Sequence, residues 1–106
     1  MYKFFVYAPR DQKVIQQIID AASNAGAGKI GNYKACAFVT EGTGTWYAEE
    51  GANPAIGGVG KTEKVNEVKI EMECLEEFMQ KVVNAIKAVH PYEEVVIDVF
   101  PMERFD

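Results

Sequence analysis

From Glu67 to Cys74 the chain alternates without a break: Val68, Ile70, Met72 and Cys74 are apolar, whereas Glu67, Lys69, Glu71 and Glu73 are charged. A period of two sends successive side chains to opposite faces of a strand, so one face is dry and the other wet. Directly afterwards the period changes. Leu75, Phe78, Met79, Val82, Ile86 and Val89 recur at helical spacing and form one apolar stripe. Glu76 and Glu77 lie in the first turn of that helix and Lys87 near its end, where the helix dipole favours each sign of charge. A half-dry strand running into a one-sided helix is stable only if the two apolar surfaces meet, and this constrains everything upstream.

The first half of the chain repeats the scheme. Residues 2–8 (YKFFVYA) are aromatic and β-branched, as a strand requires; Pro9 breaks the run, and Asp11 is placed to cap a helix. Val14, Ile15, Ile18, Ile19 and Ala22 then make a single stripe that runs out at Ala25-Gly26. Residues 34–40 (KACAFVT) predict a second strand, and residues 41–47 (EGTGTWY) a turn followed by a short return strand. Residues 48–61, with Gly51, Pro54, Gly57, Gly58 and Gly60, read as one long loop. A third strand is expected over 63–74, and a last one over 93–100 (EEVVIDVF), stopped by Pro101. Strand, helix, strand, strand, helix, strand is the order of a ferredoxin-like α+β sandwich, an antiparallel sheet with both helices on one face. At 106 residues it is expected to be one domain, 1–106.

Two helices cover one sheet face, so a monomer should be polar on the other. Instead Phe4 and Val6 oppose Phe5 and Tyr7, Ala35 and Ala37 oppose Cys36 and Phe38, and Val95, Ile97 and Val99 oppose Val96 and Phe100. Burying such side chains is worth roughly 1.5–3 kcal/mol each. A homo-oligomer that packs open faces together is therefore expected, with cover by the long loop as the alternative.

Composition closes several routes. The formal net charge is -5 and no basic cluster exists, so nucleic acid is not an expected partner. No apolar run is long enough to span a membrane, and Met1 leads straight into a strand, leaving no room for a signal peptide; a cytoplasmic protein is expected. Cys36 and Cys74 sit in apolar strand contexts and read as small buried hydrophobes, with a disulfide or metal pair as the alternative. Gly26-Ala27-Gly28-Lys29-Ile30-Gly31 spells GxGxxG, but it follows a helix and enters a strand, the reverse of a dinucleotide site. Gly57-Gly58-Val59-Gly60-Lys61-Thr62 imitates the end of a P-loop, yet Ala55 stands where its first glycine belongs and strand periodicity follows. A glycine-rich connector is expected there, a backbone anion contact being the other reading.

The only histidine lies in the run His90-Pro91-Tyr92-Glu93-Glu94. Proline disfavours helix at the residue before it, so the second helix must end at about His90. A titratable ring, a phenol and two carboxylates are thereby gathered at one junction. Three readings follow: His90 ends the helix, bonding a last-turn carbonyl, while Tyr92 packs at an interface; His90 and Glu93 bind a divalent metal; or His90 serves acid–base catalysis. Glu67 and Glu71 share the wet face of the third strand and are expected to be solvated or paired with lysines. Glu41, beside the glycine turn, is a candidate for a ligand cleft, and Phe4 and Tyr92 for an interface or cleft. No catalytic residue is assigned.

His90-Pro91-Tyr92-Glu93 leading into a final apolar strand resembles the CutA-type divalent-cation tolerance proteins. With GAGKIGNYKACAF, GTGTW and NPAIGG, the chain resembles more closely the YqfO-type domain inserted in NIF-three-like proteins, within the CutA/PII-like superfamily. The resemblance runs from about residue 26 to 101, through Gly28, Gly31, Tyr33, Cys36 and Phe38, then Gly42, Gly44, Pro54, Gly57, Glu67 and Glu71, to the histidine run. It implies a CutA- or PII-like ferredoxin fold assembled as trimers through sheet faces. NIF-three-like proteins carry dinuclear metal ligands in two flanking halves that this sequence does not contain, so their hydrolase and GTP-cyclohydrolase labels are not carried over. The expected function is a non-enzymatic, oligomeric regulatory or sensing module for a small ligand or divalent metal. The alternatives are a hydrolase-like enzyme with an intersubunit site around His90, Tyr92 and Glu93, and a purely structural interaction module.

Overall fold

A computed structural model describes residues 1–105. Strand β1 (Tyr2–Pro9) leads to helix α1 (Gln12–Asn24), strands β2 (Phe38–Tyr47) and β3 (Thr62–Cys74), a 3-10 turn (Glu76–Phe78), helix α2 (Met79–Val89) and strand β4 (Ile97–Pro101). The four strands form one sheet in the order β2-β3-β1-β4, and every pairing is antiparallel. This is the ferredoxin-like α+β fold.

The stripes and the alternation meet as expected. Phe4, Val6 and Ala8 of β1 and Val68, Ile70, Met72 and Cys74 of β3 form the dry face, against Ile15, Ile18 and Ala22 of α1 and Met79, Val82 and Ile86 of α2. The Asp11 carboxylate caps α1 by accepting from the Lys13 and Val14 amides. Helix α2 ends where Pro91 dictates, with His90 already extended at φ -74° and ψ 135°. Among the described residues no helix is long and apolar enough to cross a membrane.

Three local expectations are corrected. Residues 34–37 are not strand: Ala35 takes a left-handed φ of 56°, and the Cys36 amide is held by the Gly28 carbonyl at 2.9 Å. Gly28 itself has φ 76°, and a Cβ there would strike the Cys36 backbone and the Met72 side chain, so only glycine fits this stitch. Cys36 is consequently half-buried rather than a core residue; Cys74 is buried, and both are free thiols. Second, the stretch expected to turn within 41–47 runs straight on as β2, with Gly42 opposite Glu67 and Gly44 opposite Val65. Third, β4 begins four residues late, because residues 93–96 are drawn off against the long connector.

Phe4, a candidate for an interface or cleft, is fully buried in the helix-covered core. The open face carries Phe5 and Tyr7 instead, joined by Phe38, which shares a register row with Glu71 and Phe5. Phe100 packs on Phe5 with ring centroids 5.3 Å apart, and the Lys69 ammonium lies 4.7 Å above the Phe5 ring. Phe38 remains 68% exposed and Phe100 49%.

One feature of the pairing shapes the molecule. β1 covers β3 only over residues 67–74, whereas β2 follows β3 down to Thr62. Residues 43–47 and 62–66 therefore run past the sheet as a two-stranded ribbon, and the molecule measures 47 Å by 23 Å by 23 Å.

Candidate functional site

The ribbon, the connector 48–61 and the junction after α2 enclose a cleft of about 630 Å³. Behind its inner wall runs a chain of hydrogen bonds that begins where β4 stops. β4 pairs with β1 only as far as Val6, and the next carbonyl, that of Tyr7, accepts from His90 Nε2 at 2.8 Å. The other ring nitrogen, Nδ1, accepts from the Tyr92 amide at 3.1 Å. These partners fix the tautomer, with the proton on Nε2 and the lone pair on Nδ1. The imidazole also stacks obliquely on the Tyr92 ring, 4.9 Å between centroids.

Tyr92 is thereby aimed across the sheet at β3. Its hydroxyl donates to Glu67 Oε2 at 2.6 Å, and its ring meets the edge of Trp46 on β2, 5.8 Å away at 63°. Glu67, expected to be solvated, is only 9% exposed. Its carboxylate lies directly over Gly44, so that any Cβ at that position would occupy the space of Oε1. The glycine in the middle of β2 is thus a clearance for an acid on β3. Glu93 ties the connector down by accepting from the Asn53 amide at 2.9 Å.

Burial holds the His90 ring below its ordinary pKa of 6.5, against an opposing pull from the Tyr7 carbonyl and the Glu67 charge. Burial also drives the Tyr92 phenol upward, and the bond to Glu67 and the charge of Glu67 add to the rise. A neutral imidazole with both nitrogens engaged and a phenol locked on a carboxylate make a positioning network.

A divalent cation at His90 and Glu93 would compete with bonds already made, since His90 Nδ1 accepts from the Tyr92 amide and Glu93 Oε1 accepts from the Asn53 amide. Among the described residues no group of three or more His, Cys, Asp or Glu is gathered to hold a metal ion. The histidine bonds a carbonyl of β1 rather than one of its own helix. Glu41 stands outside the cleft, in an exposed ion pair with Arg10 at 3.1 Å. Tyr92 lines the cleft. Glu67, Gly44 and Trp46 were missed as site residues. The available signal was Gly42-Thr43-Gly44 itself, since glycines inside a strand mark close approach by another group.

No protein-family model matches the chain. It is 43% identical over 102 residues to the GTP cyclohydrolase 1 type 2 homolog of Bacillus subtilis, covering 96% of this chain and 27% of that protein. The homolog from Halalkalibacterium halodurans is 45% identical over 102 residues, with the same coverage of 96% and 27%. Among solved structures, a Bacillus cereus protein related to NIF3 superposes with a TM-score of 0.82 at 39% identity, over 97% of this chain and 26% of that one. CutA1 from Pyrococcus horikoshii, in a point variant, matches with a TM-score of 0.72 at 18% identity, over 100% of this chain and 87% of its own. The chain spans about a quarter of the length of the curated relatives it matches. It is similar, nearly end to end, to one segment of NIF3-related proteins, and it shares its fold with CutA1.

Proposed function

We propose that this chain is a non-enzymatic, self-associating module of the NIF3/YqfO type that binds a small molecule in the cleft beside Tyr92, in a regulatory or sensing role in the cytoplasm. The cleft carries the reading. About 630 Å³ falls in the range of small-molecule sites, and the walls combine aromatic rings with a few fixed polar groups. The bonds among His90, Tyr92 and Glu67 hold those walls in place, which suits binding better than chemistry. The cyclohydrolase named in the relatives belongs to proteins of which this chain spans 27%, and that activity is left with them.

Exposed Phe38 and Phe100 on the open face favour assembly of copies through that face, with a homotrimer as the proposed state. The domain 1–106 acts as the repeating unit. Native mass spectrometry of protein taken directly from cells tests both parts together. The expected result is a multiple of the 11.8 kDa chain mass carrying a retained small molecule that is lost in Trp46→Ala. A bare monomer refutes the reading.

A further inference from the structure

Resting on the cleft as a binding site, we propose that its ligand is an organic cation, a protonated amine on an apolar body. Every charged residue that lines the cleft is acidic. Glu49, Glu50, Glu67, Glu93 and Glu94 contribute carboxylates, and no lysine, arginine or histidine lines it. An anionic ligand would enter against all five, and the net charge of -5 extends the same field outward.

A second, independent observation lies at the floor. Glu67 is nine-tenths buried, yet only Oε2 is satisfied, by the single proton that the Tyr92 hydroxyl has to give. Oε1, lying over Gly44, takes no hydrogen-bond partner among the described residues. An open carboxylate oxygen on a mostly buried residue in a cleft is well matched by an N–H donor that bears positive charge. Around it stand Tyr7, Trp46, Tyr47 and Tyr92, whose ring faces attract cations, while Ile56 and Val96 supply apolar surface. An inorganic cation fits less well, because the carboxylates are dispersed round the cleft and do not converge as a ligand set. An ammonium group needs one carboxylate and an aromatic surround, and this arrangement provides them.

Trp46 is the only tryptophan and lies in the wall, so its fluorescence reports occupancy directly. Three probes of similar size separate the charges: 2-phenylethylammonium, neutral 2-phenylethanol and anionic phenylacetate. The ammonium should bind saturably, at least about tenfold tighter than the alcohol, and phenylacetate should leave Trp46 unchanged. Glu67→Gln, which keeps the shape and an acceptor for Tyr92, should reduce the ammonium to the level of the alcohol. Glu94→Gln on the exposed rim should weaken it less, without any loss of thermal stability, which keeps the test valid if Glu67→Gln folds poorly. Phenylacetate or phenylethanol binding as tightly as the ammonium overturns the charge assignment and leaves the cleft a binding site. No response to the ammonium overturns the proposal as well, and the retained mass from cells then decides whether the cleft reading falls with it.

Discussion

Replacing Gly44 with alanine is a one-carbon perturbation with a calculable result. The backbone at Gly44 is not left-handed, so alanine is conformationally acceptable and by itself should favour the strand by about 0.5–1 kcal/mol. Its Cβ, however, would occupy the space now filled by the Glu67 carboxylate. Because the obstacle is the end of a side chain, Glu67 must swing away, and the 2.6 Å bond from Tyr92 is lost. A hydrogen bond to a charged partner is worth about 1.5–3 kcal/mol. The net cost is therefore about 0.5–2.5 kcal/mol, or a fall in Tm of about 2–12 °C for a chain of this size. Urea unfolding followed by Trp46 fluorescence, at fixed protein concentration, measures it. The decisive comparison is a double-mutant cycle with Tyr92→Phe. If both substitutions destroy the same bond, the double variant should be about as stable as the weaker single one. Full additivity, or a Gly44→Ala protein as stable as wild type, would refute the assignment of this glycine as a clearance for Glu67.

Acid should weaken the protein through His90. Its folded pKa is lowered below 6.5, so the unfolded chain takes up a proton first as pH falls; this contribution is complete above about 6.5 and is lost as pH drops toward the folded value. Between about pH 7.5 and 5.5 the Tm of wild type should fall more than that of His90→Gln, and equal falls would contradict the buried, neutral imidazole. Phe4→Ala should cost about 3–5 kcal/mol as a core truncation, whereas Phe38→Glu on the open face should leave the melting of the fold intact and shift light scattering toward 11.8 kDa. An oligomer unaffected by Phe38→Glu would remove that face as the contact. Lys61→Ala should leave thermal stability nearly unchanged and any nucleotide-induced shift in Tm at or near zero, since the glycine run before it leads into β3 and not into a helix. A nucleotide-dependent rise in Tm that vanishes with this substitution would reverse that reading.

The fold was legible because each element carries its own period. The alternation through Val68–Cys74 and the stripes through Ile15–Ala22 and Met79–Ile86 are local signals, and the buried core is built from them. The cap at Asp11 and the stop at His90 were equally local. The site was not legible in the same way, because its key contacts join residues distant in sequence. Tyr92 meets Glu67 across 25 positions, and His90 reaches Tyr7 across 83. Glu67 fits the wet-face alternation, and nothing in β3 alone distinguishes it from Glu71. What distinguishes it is Gly44 on the facing strand, a residue read as turn because glycine more often turns a chain than clears space for a neighbour. Phe4 and Phe5 show the same limit: alternation separates their faces, but with both faces apolar it does not say which one the helices cover.

The ribbon beyond β1 has a consequence for how the cleft is entered. A two-stranded ribbon without a third strand or a helix beneath it has little stability of its own. Residues 43–47 and 62–66 are in that position, joined to the body of the molecule by the Trp46–Tyr92 ring contact and by the bond from the Arg10 amide to the Asn66 carbonyl at the ribbon's base. They are expected to open as a unit of their own, apart from the core that contains Phe4, Val6 and Ile70. Amide hydrogens on the ribbon should exchange much faster than those of β1, and an occupant of the cleft should slow them selectively. Access is then governed by local melting of ten residues, while the sheet and helices that carry the fold stay closed.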